Sequence, residues 1–355
     1  MSTILDCIKR IPSVLERIIK EWPNNENCFN RLLEDKLSTL DEIVMVGSGT
    51  SYTSATTAQP FVEKASGLRT RVLMPNTCVD PDHVKNPNAL YVFLSQTGTS
   101  KVVQQALIEL QQMGLTCLGM TWSHETPLAK SANFHIELNC GFEEFTMRTI
   151  GYAASVMDLM LLSVQVGKMR KFLNEEQAAA YFAMAKRVPE SHAKITAQAE
   201  EWLQKVKRQM LRSKCIMFTG PGAMYGGALE GAVKLWEMPQ IISAGYELEE
   251  GLHGPAYGYD YNHCIVVLDD GGKESAKGHS LARYMKDVWQ NGLVVGKNTI
   301  DEKDLKLDLQ GGDFACIEMS AVLQVMSYVL AVDSGRDISK LIDHTVMYSY
   351  FKTHS

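Results

Sequence analysis

Two stretches of this chain, 173 residues apart, follow one pattern. Ile43–Val46 runs into GSGTSYTSATTAQPF and Ile216–Phe218 runs into TGPGAMYGGALEGAVKLWEM, so that Gly47 faces Gly220. At the same offset Val92–Leu94 faces Ile265–Val267, and the register holds for roughly 50 residues. Each copy reads as apolar strand, glycine-rich turn and helix. A repeat on this scale requires two domains of one architecture. Parallel strands alternating with helices give a three-layer unit, so the expected fold is α/β, two tandem αβα domains with mostly parallel sheets, related by duplication. The expected division is 1–190, N-terminal helices and first domain, and 191–355, connecting helix, second domain and C-terminal tail.

The first copy carries the stretch YVFLSQTGTSKVVQQALIELQQMG, Tyr91 to Gly114. Tyr91–Leu94 has the β-branched and aromatic content of a buried strand, and Val102, Ala106, Leu107, Leu110 and Met113 return at helical spacing. Between them lie Ser95, Gln96, Thr97, Gly98, Thr99 and Ser100. The first turn of a helix has unpaired N–H groups and a positive dipole end, and short hydroxyls add donors without bulk. This loop therefore suits a dianion such as a phosphate. In the second copy the corresponding stretch is LDDGGKES, Leu268 to Ser275, where Asp269 and Asp270 would repel one. One phosphate loop per chain is expected. The earlier turn, GSGTS, lacks G-x-G-x-x-G spacing, and no acidic residue ends the next strand, which speaks against a dinucleotide.

Composition closes off other classes. With 355 residues the chain can bury two cores, and a net charge of -6 offers no basic footprint for nucleic acid. There is no run of about 18 uninterrupted apolar residues and no N-terminal signal pattern, so neither a membrane span nor secretion is expected. The eight cysteines contain no Cys-x-x-Cys pair and read as reduced thiols of a cytoplasmic protein. Nine histidines are scattered without H-x-H or H-E-x-x-H, so no metal is expected.

Among the remaining segments, the periodicity predicts a helix from Ile4 to Ile19, a polar turn around Trp22–Asn27 and a second helix through Leu32, Leu33 and Leu37. Further helices are expected from Glu143 to about Lys171 and from Glu175 to about Arg187, with a break at Val188-Pro189 before another from Ser191 to Leu211.

The second copy keeps different reactive groups. In ALEGAVKLWE, Glu230, Lys234 and Glu237 fall on one helical face at i, i+4 and i+7. A solvated ladder of ion pairs would look the same, but most neighbouring positions are apolar. Farther on, YELEEGLHGPAYGYD sets His253 beside glycines, where a ring can approach backbone and ligand; histidine both donates and accepts a proton near neutral pH. The sequence around it is equally that of an ordinary loop.

Four motifs in this order, GSGTS (Gly47–Ser51), SQTGTS (Ser95–Ser100), ALEGAVKLWE (Ala228–Glu237) and LHGP (Leu252–Pro255), carry a resemblance. From about Ile43 to about Lys340 the chain resembles the sugar isomerase (SIS) domain family, in particular the two-domain isomerase module of glucosamine-6-phosphate synthase and the related fructoselysine- and glucoselysine-6-phosphate deglycases. The resemblance implies that Thr50, Ser51, Ser95, Gln96, Thr97 and Ser100 hold a sugar phosphate. It implies that Glu237 moves a proton between C1 and C2 and that His253 assists ring opening, reaching the site from a neighbouring subunit of a homo-oligomer. Glu230 and Lys234 would orient the substrate, and Lys340, in the segment RDISK, matches a lysine able to form an imine with an open-chain ketose. No organic cofactor is implied, because the substrate's own carbonyl or imine serves as electron sink.

Departures shape the expected substrate. No glutamine-hydrolysing domain of the synthase type precedes Ile43, so ammonia transfer from glutamine is not expected. Thr99 stands where the synthase motif has glutamate. Glu143 matches an expected acidic residue, whereas Arg148 replaces a small hydroxylated one, and the two are candidates for the amine end of a substrate larger than glucosamine 6-phosphate. The expected reaction is a deglycase reaction. A C2-linked substrate (glucoselysine 6-phosphate, giving fructose 6-phosphate and lysine) stands beside a C1-linked one (fructoselysine 6-phosphate) and an isomerising deamination of glucosamine 6-phosphate. A non-catalytic phosphosugar sensor is the alternative of another class.

Overall fold

A computed structural model describes residues 2–338 and 345–354. The chain folds as two compact units, Ser13–Ala183 with Leu341–Ser355, and Met184–Lys340 with Met1–Pro12.

The chain opens with one helix, α1 (Ile4–Leu33). The expected turn at Trp22–Asn27 is absent because the apolar stripe continues through it. Ile18, Trp22, Phe29, Leu32 and Leu33 are all buried, and Trp22 stacks on Phe29 with ring centroids 5.8 Å apart. Pro23 lies inside this helix and costs it a backbone hydrogen bond, which the burial of the stripe outweighs. There follow β1 (Glu42–Val46), α2 (Thr50–Ser66), β2 (Arg69–Leu73), α3 (Pro75–Val79), β3 (Ala89–Leu94), α4 (Lys101–Gln112), β4 (Thr116–Thr121), α5 (Pro127–Ser131), β5 (His135–Glu137), α6 (Ile150–Met169) and α7 (Glu175–Ala185).

The five strands form one sheet in the order β2-β1-β3-β4-β5, all neighbours parallel. Every residue of β1 and β3 is buried, as a sheet covered on both faces requires. Val44, Val46, Tyr91 and Phe93 share one face with Val103, Ala106, Leu107 and Leu110 of α4. Ile43, Met45, Val92 and Leu94 alternate to the other face. On the helical side α2 packs along α6, where Thr57 Oγ1 meets the Tyr152 hydroxyl at 2.7 Å.

The helix expected from Glu143 begins only at Ile150. Residues 143–149 stay irregular because the Glu143 side chain accepts hydrogen bonds from the N–H groups that open α6. The break expected at Val188-Pro189 falls just ahead of it, at 186–187, and Pro189 sits in the first turn of the next helix, where proline has no bond to lose.

The second unit holds α8 (Val188–Arg212), β6 (Cys215–Gly220), α9 (Ala223–Glu237), β7 (Ile242–Glu247), α10 (Leu248–Leu252), β8 (His263–Asp269), α11 (Ser275–Trp289), β9 (Gly292–Gly296), β10 (Leu305–Lys306) and α12 (Ala315–Asp333). A last helix, α13 (Thr345–Tyr350), lies with the first unit. The second sheet runs β10-β9-β8-β6-β7, which is the first sheet's order strand for strand. Both units are thus parallel αβα domains of one topology.

Strand pairing corrects the repeat in one respect. Ile43 lies opposite Leu90, whereas Ile216, its counterpart, lies opposite Cys264 rather than His263. The second copy therefore carries one additional residue before β8. Since α3 and α10 still align at the original offset, the insertion falls in the stretch from His253 to Asn262 that takes the place of Asp80 to Asn88. Ser95 consequently corresponds to Asp269.

Among the described residues two helices are long and apolar enough to cross a membrane, Ile150–Met169 and Gly312–Asp333. All of the apolar window of the first and 83% of that of the second are buried inside the protein, as in core helices. On α8, His192 is fully buried with its Nε2 unpartnered, and burial pushes its pKa down to about 3.

Candidate active site

The same backbone device opens the strand-to-helix turn of each domain. Gly49 precedes α2 with φ 56° and ψ -130°, and Gly222 precedes α9 with φ 54° and ψ -124°. A Cβ at either position would meet nothing within 4 Å, so glycine is required for its backbone and not for space. Each turn closes on its own helix start, with Tyr52 N–H donating to the Gly49 carbonyl at 2.9 Å and Tyr225 N–H to the Gly222 carbonyl at 3.1 Å.

In the first domain the turn presents Thr50 and Ser51, both half-buried, and the loop after β3 presents Ser95, Gln96, Thr97 and Ser100. Gly98 N–H closes a turn on the Ser95 carbonyl at 2.9 Å, and the Gly98 carbonyl accepts from Leu128 N–H at 3.0 Å. Thr97 and Thr99 share a hydrogen bond of 2.8 Å between their hydroxyls. No side-chain bond caps α4, whose N-cap is Ser100. The cradle therefore combines a helix terminus with several short hydroxyls, the donor set a phosphate needs.

Gln96 lies differently from its neighbours. It is buried, and its Nε2 donates to Glu143 Oε2 at 3.0 Å, so the side chain turns into the domain. Glu143 is only 2% exposed, with both oxygens occupied within the domain. Arg148 Nη1 donates to the carbonyls of Glu143 at 2.8 Å and Phe145 at 2.6 Å, tying down its own loop.

One further neighbour was not foreseen. Lys101, the first residue of α4, donates its N–H to the Thr353 carbonyl at 3.2 Å, and Ser100 forms an antiparallel bridge with His354. No periodicity connects a tail residue to a loop some 250 positions earlier in sequence, so only the fold reveals this contact.

In the second domain the face predicted on α9 is an internal charge cluster and not a solvated ladder. Glu230 and Lys234 are 0% exposed, while Glu237 retains 35% of its side chain at the surface. Lys234 Nζ stands 3.3 Å from Glu230 Oε1 and 2.6 Å from Glu237 Oε2. One ammonium thus lies between two carboxylates, and only the outer carboxylate reaches solvent.

His253 ends α10 with its ring 66% exposed and its Nδ1 2.8 Å from the Glu249 carbonyl. With Nδ1 donating to that carbonyl, Nε2 is the nitrogen turned outward. Asp269, the counterpart of Ser95, is buried and accepts from the N–H and the side-chain amide of Asn298 at 2.9 and 3.2 Å. In the second copy this position is thus a buried carboxylate held by a residue that follows β9. Arg336 hydrogen-bonds the Gln240 side chain, whereas Lys340 lies outside the described residues. Among the described residues no group of three His, Cys, Asp or Glu side chains is arranged to hold a metal ion.

No protein-family model matches the chain. It is 25% identical over 337 residues to glutamine–fructose-6-phosphate aminotransferase (isomerizing) of Oceanobacillus iheyensis, a match covering 93% of this chain and 55% of that protein. The chain spans about half the length of the curated relatives it matches. Among solved structures it is similar to a Clostridium difficile 630 protein described provisionally as a phosphosugar isomerase, with a TM-score of 0.87, 23% identity and all of both chains covered. It is also similar to the C-terminal domain of glucosamine-fructose-6-phosphate aminotransferase from Francisella tularensis, with a TM-score of 0.86, 21% identity and coverage of 94% and 96%. The fold is that of the two-domain phosphosugar isomerases. The chain resembles the sugar isomerase (SIS) domain family in sequence and shares its fold.

Proposed function

We propose that this protein is a phosphosugar-amine deglycase of the isomerase type. Ser95, Thr97 and Ser100, with Thr50 and Ser51, take the phosphate, and Glu237 moves the proton between C1 and C2. The observation that carries the reading is the Glu230–Lys234–Glu237 cluster. A buried ammonium anchored by one carboxylate fixes a second carboxylate at the surface with one oxygen held and the other available. A purely structural ion pair has no use for a third, half-emerged member.

For a C2-linked substrate the steps are as follows. His253, through its outward nitrogen, assists transfer of the ring proton as the hemiacetal opens to the C1 aldehyde, and as the more exposed group it is the one a neighbouring subunit would share. Glu237 removes the C2 proton, and the electron pair of that C–H bond forms an enolamine. Reprotonation at C1 leaves a C2 imine. One water then adds and the amine departs, giving a ketose 6-phosphate and the free amine. The preferred substrate is glucoselysine 6-phosphate, which yields fructose 6-phosphate and lysine. Arg148, with donors beyond the two bonds of its Nη1, is the candidate for the carboxylate of the amino-acid moiety.

The test is a panel of C2-linked and C1-linked amino-acid sugars and glucosamine, all 6-phosphorylated, with the released hexose phosphate identified. Fructose 6-phosphate from the C2-linked lysine adduct is the expected result. Glucose 6-phosphate from the C1-linked adduct only, or turnover of glucosamine 6-phosphate only, would replace this substrate assignment by another. Binding of every phosphosugar with turnover of none would make the protein a sensor.

A further inference from the structure

The side chain of Gln96 points away from the cradle that its backbone helps to form. Its Nε2 donates to Glu143 Oε2 at 3.0 Å, with Cys140 Sγ at 4.0 Å, while its backbone carbonyl accepts from Trp122 N–H at 2.9 Å. The amide packs against Gly151, the second residue of α6. A Cβ on Gly151 would come within 1.8 Å of Gln96 Oε1 and 2.1 Å of its Cδ, so any other residue there would expel the amide.

Glu143 is in turn held on all sides. Oε1 accepts from Thr149 N–H at 2.6 Å, the Thr149 hydroxyl at 2.8 Å and Ile150 N–H at 3.1 Å. Oε2 accepts from Gly151 N–H at 3.2 Å as well as from Gln96. A carboxylate at a helix N-terminus receiving three backbone N–H groups is a fixed point of the structure. Gln96 is the loop's attachment to that point.

We infer that Glu143 is a positioning residue for the phosphate loop. With Gly151 it forms a rear clamp on Gln96, and Gln96 shapes the cradle from behind instead of contacting the phosphate. The assignment rests on the reading that the Ser95–Ser100 loop binds phosphate. Glu143 has no acceptor capacity left for a substrate amine, because five donors surround its two oxygens. Selectivity for the amine end is therefore set elsewhere.

The experiment is a double-mutant cycle on the full chain with Glu143→Gln and Gln96→Met, read by titration calorimetry with inorganic phosphate and by KM and kcat on the best panel substrate. Glu143→Gln keeps the volume but turns an amide donor toward Gln96 and Gly151. Each single variant is expected to weaken phosphate binding about tenfold, the scale of one charge-assisted hydrogen bond. The double variant should be no weaker than either single one, with the loss on KM and amine-end preference unaltered. Gly151→Ala, which leaves both partners chemically intact, should reproduce the loss and covers the case in which Glu143→Gln does not fold.

Additive losses would mean that Gln96 meets the phosphate itself, and wild-type affinity in folded Glu143→Gln or Gly151→Ala would remove the clamp; either overturns the inference while the functional reading stands. A wild-type protein that binds neither phosphate nor any phosphosugar would overturn both.

Discussion

The ammonium of Lys234 lies 2.6 Å from Glu237 Oε2, and this contact joins a side chain with no exposure to one that is one-third exposed. Glu237→Gln is expected to abolish turnover while phosphosugar binding persists; turnover at the wild-type rate would exclude Glu237 as the base. Lys234→Met removes the buried ammonium that faces both the Glu230 and the Glu237 carboxylates, so a loss of roughly 3–5 kcal/mol is expected in urea unfolding.

His253 is assigned to ring opening, a step that an open-chain substrate bypasses. His253→Ala should therefore slow turnover of the cyclic sugar phosphate and spare an open-chain analogue. Equal impairment of both substrates would count against the role.

Gly49 and Gly222 hold matching backbone conformations at matching places in the two domains. Replacing either by alanine causes no steric overlap, so the cost is conformational alone, about 1–3 kcal/mol. Thermal unfolding of the two variants should show similar losses. Only Gly49→Ala should also weaken phosphate binding, because only its domain carries the hydroxyl-rich loop.

His192 stays neutral in the folded chain far below the pH at which it protonates when unfolded, because burial pushes its pKa down to about 3. A depressed basic pKa means that the unfolded chain binds more protons. Stability is then complete above about pH 6.5 and declines as pH falls toward 3, by on the order of a few kcal/mol. His135, lowered to about 4 by burial and by the neighbouring His124, adds a second contribution of the same sign. In urea titrations between pH 7 and 4, His192→Leu should flatten the slope in part; an unchanged slope would assign the acid sensitivity to other groups.

The Thr353 carbonyl occupies the N–H of Lys101 at the start of α4. Truncation after Tyr350 frees a donor next to the cradle, and phosphate affinity is expected to rise a few-fold, the scale of one net hydrogen bond. Unchanged affinity would show that this N–H lies outside the cradle.

The architecture was legible because it is written in short-range pattern. Strands such as Ile43–Val46 and Val92–Leu94 are continuous apolar runs, and the repeat matched them to their counterparts β6 and β8 in the second domain. Boundaries were less so. The polar residues after Trp22 suggested a turn, yet burial of Trp22 and Phe29 carries α1 through, because a buried stripe on one face outweighs weak local propensity. The one-residue insertion ahead of β8 was invisible because it sits in a loop, where residues are not constrained to a period. At the site, the i, i+4, i+7 face of α9 was readable from spacing. The inward turn of Gln96 was not, since its partner Glu143 lies 47 positions away in an irregular segment and a loop glutamine reads the same whether it faces ligand or interior.

The bridge between Ser100 and His354 also has a bearing on how the protein is handled in the laboratory. Any affinity tag fused after His354 would emerge beside the Ser95–Ser100 loop and, if it carried histidines or acidic residues, would compete with or repel an anion offered to that loop.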